Sequence, residues 1–317
     1  MSRSSRGAAI ARMIARRTLS GALVLWGAAT ITFLALHTTK GDPALALLGG
    51  PEANPTPEAL AQVRAEYGFD RPLWAQYGIY FGRLFRGDFG QSYQQHQSVV
   101  GAIGVQLGPT VQLALLAACA SVAIALIVAL TTCGRGKTVS GIVDGATTFL
   151  ASMPGFVLGI GLLFVFTAVF PILPAAGDDG PRTLVLPVLT LALPVAAHLV
   201  QVLRPELEDV LEQPFILTAR TRGMGVTAVK LRHALRHALM PIATMTGFVI
   251  AGLLSGAVIV ETVFSRQGLG RLATTAVSNQ DLSLVLGVVL FAALVFVVVN
   301  LVVDVMYSLI DPRLATV

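Results

Sequence analysis

Between Phe215 and Pro241 the sequence reads FILTARTRGMGVTAVKLRHALRHALMP, with Arg220, Arg222, Lys230, Arg232 and Arg236 and not one carboxylate. The stretch follows an acidic run, Glu206, Glu208, Asp209 and Glu212, and is set between long apolar segments. Gly223 and Gly225 interrupt one helix and allow another to start at an angle. After them Leu231, Ala234, Leu235, Ala238, Leu239 and Ile242 repeat at the spacing of an amphipathic helix. Lys230, Arg232, His233, Arg236 and His237 lie largely off that stripe. The pattern predicts a helix–turn–helix, and two roles fit it. One is a docking surface for a soluble partner. The other is a solvated loop whose cations touch anionic lipid headgroups.

Other polar residues stand inside apolar runs. Asn300, Asp304, Tyr307 and Asp311 fall at i, i+4, i+7 and i+11, one stripe on a helix otherwise made of Leu, Val and Phe. Intramembrane carboxylates are costly and face a bundle interior or a watery path. Asp304 therefore reads as part of a translocation pathway or subunit interface, or as a buried structural partner of an arginine such as Arg204. Glu261 ends another apolar run near Arg266 and Arg271, placed for a capping or interfacial ion pair. His198, between Pro194 and Pro205, reads as a packing residue of a helix that flexes. Chemistry of other kinds has no residues to carry it. There is no phosphate loop GxxxxGK[ST], no HExxH, no GxSxG and no metal-ligand spacing. Cys119 and Cys133 have no His beside them and read as packing residues.

The elements that position these groups are membrane helices. Of 317 residues, 55% are hydrophobic and only 12% charged, against about 25% charged in soluble domains. Six apolar runs, roughly 18–37, 109–131, 143–170, 184–203, 242–264 and 284–310, are long enough to span about 30 Å of hydrocarbon. Continuous runs without strict alternation are helices rather than barrel strands. Arg3, Arg6, Arg12, Arg16 and Arg17 precede the first run, Arg135 and Lys137 follow the second, and the basic loop follows the fourth. The positive-inside rule then puts both ends in the cytoplasm. The first run lacks a small-residue cleavage site and reads as a retained helix. No basic run is interleaved with aromatics, so nucleic acid is not an expected partner.

The segment 40–107 then lies outside. Thr56 is a plausible N-cap, with Pro57 and Glu58 in the first turn of a helix over 57–67. Leu73-Trp74 and the following QYGIYFGRLF predict a second, aromatic-rich helix lying along the membrane surface. Gly87-Asp88-Phe89-Gly90 turns the chain. The organisation expected is a tail and first helix (1–39), an extracytoplasmic helical insertion (40–107) and a five-helix core (108–317) carrying the basic loop at about 206–241.

Several short strings, in order along nearly the whole chain, carry a family resemblance. They are Ile14-Ala15-Arg16-Arg17, Gly41-Asp42-Pro43, Gly68-Phe69-Asp70-Arg71-Pro72 and Arg86-Gly87-Asp88-Phe89-Gly90. They continue with Leu231-Arg232-His233-Ala234-Leu235-Arg236, Val260-Glu261-Thr262-Val263-Phe264, Gly268-Leu269-Gly270 and Asp311-Pro312-Arg313. With the basic loop, they resemble the inner-membrane permeases of ABC importers, in the B-type form of dipeptide and oligopeptide importers (the DppB/OppB type).

The resemblance implies an all-α, six-helix type I ABC importer permease fold. It implies a second homologous permease, two cytoplasmic ATPases that bind ATP and Mg, and an extracytoplasmic solute-binding protein. The loop is then the ATPase-coupling element. Thr218 and Ala219 match the two alanines of its general motif and Gly223 its glycine. Leu217 stands at the glutamate position, and Leu235-Arg236 at a later Leu-Pro. The resemblance also puts the region of Glu261 near the outer gate. Relatives of this type also move nickel chelates, glutathione and haem. A different class, an ATP-independent secondary transporter or channel, would make Asp304, Glu261 and His198 a coupling set; paired or broken repeats, its usual sign, are not evident in the sequence.

Overall fold

A computed structural model describes the backbone of residues 3–38, 42–50, 54–92, 94–177 and 180–310. Side chains over 3–13 and 303–310, and at scattered positions near 36–38 and 237–255, are outside the described residues. The chain gathers into two compact units, 1–108 with 268–317, and 109–267. The last apolar run therefore groups with the first helix and the 42–98 segment.

In the first unit, α1 (Arg3–Thr38) packs along α13 (Leu282–Ile310). Their approach needs Gly21, because a Cβ there would sit 2.5 Å from Val297 Cγ1. Between them in sequence come α2 (Pro43–Leu47), α3 (Pro57–Tyr67), α4 (Leu73–Phe85) and a two-residue antiparallel pair, β1 (Gln91–Ser92) with β2 (Gln97–Ser98). The sequence signals for α3 act as expected. Thr56 is extended and its hydroxyl accepts from Ala59 N at 3.3 Å, Pro57 opens the helix, and Gly68 closes it in the left-handed region at φ 67°. Ala44, Leu47, Leu48 and Val63 form the small core of this segment. The helix α12 (Leu269–Ser278) precedes α13 and packs through Leu272 and Ala276 with Val99, Ile103, Leu284 and Val288.

The second unit holds α6 (Lys137–Ser152), α7 (Gly155–Leu163) with a π-turn at Phe164–Val169, α8 (Arg182–Leu211), α9 (Pro214–Thr221), α10 (Val226–Val229), a π-turn at Lys230–Ala234 and α11 (Leu235–Val263). Its core comprises Leu113, Leu186, Leu191, Leu199, Leu253, Val260 and Phe264. The helix α5 (Val99–Thr132) runs from one unit into the other and starts ten residues before the apolar run that announced it.

Among the described residues four helical stretches are long and apolar enough to cross a membrane: Ile14–Ala35, Val99–Thr132, Arg182–Leu211 and Leu282–Val302. The expected third span, 143–170, is not one straight helix. It is the pair α6 and α7, bent by 105° at Met153-Pro154. Proline lacks the N–H that would continue the ladder and pushes the residue before it out of the α region, and Met153 is extended at φ −77°, ψ 127°. Counted as one, the pair gives a fifth span. The helix α11, on the expected fifth run, is 29 residues long. Leu19, Leu23, Trp26, Ile31 and Leu34 of α1 are exposed, an apolar surface of the kind that suits hydrocarbon.

Candidate functional site

The acidic run that was read as the start of the loop is still helix: Glu206, Glu208 and Asp209 belong to α8, which passes Pro194 and Pro205 and ends at Leu211. The loop proper is short. Gln213 is extended, Pro214 starts α9 at the position where a missing N–H costs nothing, and the helix lasts eight residues. It closes through two backbone bonds, Gly223 N to Arg220 O at 3.0 Å and Met224 N to Ala219 O at 3.2 Å. This is a Schellman closure, whose residue after the cap must be left-handed; Gly223 has φ 85°. A Cβ on Gly223 would meet nothing within 4 Å, so backbone conformation rather than packing inside this chain demands the glycine. Gly225 has an ordinary φ of −67° and caps α10 through its carbonyl.

The turn divides the loop's residues sharply. Ile216, Val229 and Ala234 are buried and hold it to the rest of the unit. Leu217, Thr218, Arg220, Arg222, Arg232 and Arg236 are exposed, while Ala219 and His233 are half-buried. Phe215, Leu217, Val226 and Leu231 add exposed apolar surface. No side-chain hydrogen bond or ion pair to Arg220, Arg222, Arg232 or Arg236 is present among the described residues. The expected stripe is only partly the buried face. Ala234 and Ala238 are fully buried, but Leu231 is exposed, because the π-turn at Lys230–Ala234 shifts the register.

Two residues that the sequence offered for other roles are anchors. Lys230 is not a solvated cation: its Nζ donates to Cys133 O at 2.6 Å and Leu130 O at 3.1 Å, at the end of α5. Arg204, buried on α8, donates to Asp144 Oδ1 at 2.8 Å and Ser140 Oγ at 2.6 Å, both on α6, and pairs with Glu208 at 3.2 Å. Its carboxylate partners among the described residues are Asp144 and Glu208, and the suggested Asp304 has its side chain outside the described residues. Only Glu208, one turn away on the same helix, was within reach of sequence reasoning.

The candidates for a pathway or interface fall in both compact units, Glu261 in the second and Asn300, Asp304 and Tyr307 in the first. Glu261 is fully buried on α11 and accepts from Thr110 Oγ1 at 2.6 Å. The buried Arg266 donates its backbone N–H to Glu261 O at 2.8 Å and Nη2 to Gln112 Oε1 at 3.3 Å. Asn300 turns its amide back on its own helix, to Phe296 O at 2.7 Å. The side chains of Asp304 and Tyr307, and all of Asp311, lie outside the described residues. His198 Nδ1 donates to Pro194 O at 2.8 Å, and the ring borders a largely apolar cavity of about 230 Å³ with Thr190, Gly252 and Gly256. Among the described residues no three His, Cys, Asp or Glu side chains converge as a metal site.

The 42–98 segment carries a different cluster. Arg83 pairs with Glu66 and Asp88, both at 2.9 Å, and its guanidinium carbon stands 4.1 Å over the Tyr67 ring. Desolvation works to raise the pKa of Asp88, but hydrogen bonds from Arg83 and Gly90 N–H, with the charge of Arg83, outweigh it and hold the carboxyl below its ordinary value. Burial pushes the Tyr80 phenol well up. Asp281, 2% exposed, accepts from Ser92 Oγ and from Leu284 N at 3.1 Å, so it caps α13 and pins the β1 turn to it.

The sequence matches the family model described as binding-protein-dependent transport system inner membrane component over residues 86–316, and the model for the N-terminal part of such membrane components over 10–114. A protein of Brucella abortus (strain 2308), named as a peptide transport system permease, is 34% identical over 310 residues, covering 95% of this chain and 98% of its own length. A similarly named protein of Brucella suis biovar 1 (strain 1330) matches to the same extent. The glutathione transport system permease protein of Salmonella typhimurium is 35% identical over 289 residues, covering 90% of this chain and 93% of its own length. With its apolar helices and the basic turn between α8 and α11, the chain belongs to the family of binding-protein-dependent transport system inner membrane components, the permeases of ABC importers.

Proposed function

We propose that this permease carries short peptides into a bacterial cell across the plasma membrane, with both of its ends in the cytoplasm. It forms half of the channel beside a second homologous permease. Two ATPase subunits, which hold ATP and Mg, engage the α9–α10 turn, and an extracytoplasmic binding protein delivers cargo on the other side. The relatives named for peptides and for glutathione, itself a small peptide, support that cargo class.

The observation that carries the coupling role is the turn's surface. Arg220, Arg222, Arg232 and Arg236 are exposed without an acidic partner among the described residues, beside exposed Leu217, Val226 and Leu231. A surface of apolar side chains rimmed by unspent guanidinium groups is complementary to an apolar cleft with carboxylates at its edge. Closure of the ATPases would press on α9, and α8 and α11, continuous with the loop, would take up the displacement. Conduction requires no bond chemistry in this chain.

Replacing Gly223 with valine tests this. A β-branched residue is strongly disfavoured at φ 85°, so the turn must rearrange while the helices still insert. Substrate-stimulated ATP turnover of the assembled complex should fall at least about tenfold, with the chain present in the membrane at its normal level. Normal stimulated turnover would overturn the coupling role. Uptake into vesicles that lack the ATPases would overturn the ATP-driven reading.

A further inference from the structure

We propose that Lys230 is the strut that carries movement of the loop into α5. The inference rests on the coupling role just given. The loop is joined through the backbone to α8 and α11 only, and α5 ends about a hundred residues earlier in sequence. The last carbonyls of a helix have no donor within it. At the end of α5 the carbonyls of Leu130 and Cys133 receive the Lys230 ammonium, at 3.1 and 2.6 Å. A cation at a helix C-terminus is favoured by the helix dipole, and charge-assisted bonds of this length are the stiffer kind.

The surroundings make the contact a mechanical one. Val229 before Lys230 and Ala234 after it are buried. Ala234 and Ala238 pack with Ala129 and Cys133 of the α5 end and with Leu203 and Leu207 of α8. The π-turn begins at Lys230 itself. A π-turn inserts a residue into the helical register, and here it lies where the loop runs into α11. On the other side of the same cluster, Arg204 ties α8 to Asp144 and Ser140 of α6. Displacement of α9 therefore reaches α6 through Arg204 and α5 through Lys230. The other four cations of the loop face outward, so Lys230 serves this chain where they are free to serve a partner.

The test uses the whole reconstituted complex and reads substrate moved per ATP hydrolysed, a ratio that loss of folded protein does not alter. Lys230→Met keeps the buried stem and removes both bonds. The ratio should fall about tenfold, with the ATPases still co-purifying, and Lys230→Arg should restore most of it. A wild-type ratio in Lys230→Met overturns the strut. So does a Lys230→Arg complex as impaired as Lys230→Met.

Should Lys230→Met fail to assemble, a second measurement on chains that retain Lys230 decides. Spin labels at the exposed positions Arg135 and Thr227 report the distance from the α5 end to the loop. That distance should stay constant between nucleotide-free and ATP-bound complexes, and a shift of the distribution overturns the proposal. Transport by the unmodified complex without ATP would instead bring down the coupling role itself.

Discussion

Two regions of this chain are rich in arginine and use it in opposite ways. In the 42–98 segment Arg64 reaches Asp42 at 2.5 Å, and Arg83 binds Glu66, Asp88 and the Tyr67 ring. The other two, Arg71 and Arg86, remain exposed. In the 214–236 loop Lys230 is internally bound, and all four arginines are exposed without an acid among the described residues. The first region builds a small folded body with its charges, since its apolar core of four buried residues is slight. The second is held by Ile216, Val229 and Ala234 and keeps its charges for something else. Arginine content alone does not distinguish the two; the supply of carboxylates within reach does.

The sharpest way to break that contrast is to reverse charge in each region. Arg220→Glu with Arg222→Glu should weaken association with the ATPases by about 100-fold or more, measured by co-purification and by titration at low and high salt. Arg71→Glu with Arg86→Glu should leave that association unchanged. Equal loss in both would mean that bulk charge rather than the turn governs assembly. Next in size is Arg83→Met, which strands Glu66 and Asp88. Arg83 is 14% exposed but its partners are 36% and 48% exposed, so solvent screening limits the cost to about 1–3 kcal/mol. Hydrogen exchange over residues 57–90 should accelerate accordingly, with ATPase association intact.

How much of this was legible in sequence depends on the range of each signal. Thr56-Pro57-Glu58 specifies the start of α3 within a single turn, and the structure follows it. Gly223 was legible for the same reason, since a left-handed residue closing a helix is a local demand. The bend at Met153-Pro154 was written in the sequence but masked by hydrophobicity that runs unbroken across it. The acids at 206–209 were assigned to a loop on polarity, although a helix can carry polar residues beyond the membrane and continue to Leu211. Contacts such as Ser92 with Asp281, 189 residues apart, or Lys230 with Cys133, 97 apart, leave no trace in local pattern. They arise when tertiary packing brings a free donor to a free acceptor. Family membership was legible from short strings in order, whereas the distant partners of Arg204, Asp144 and Ser140, were not.

The smallest expected effect is a pH dependence that belongs to one region and not the other. Asp88 has its carboxyl pKa lowered in the folded chain, by hydrogen bonds from Arg83 and Gly90 N–H and by the Arg83 charge, against a desolvation that works the other way. A lowered carboxyl stabilises the fold above its unfolded value, about 3.9, and that contribution is lost as pH falls through the lower folded value. Because Asp88 is 48% exposed, the contribution after screening is well under about 1 kcal/mol. Exchange protection of the 86–90 turn, corrected for intrinsic rates, should therefore decline slightly as pH falls below about 4. In Asp88→Asn it should start lower and lose this step. From Gln213 to Pro241 the loop has no carboxylate, so it offers no acid of its own to protonate over that range. An acid-dependent loss of protection in the loop equal to that in the turn would show that the two regions unfold together, and the contrast between them would then not be one of separate electrostatic design.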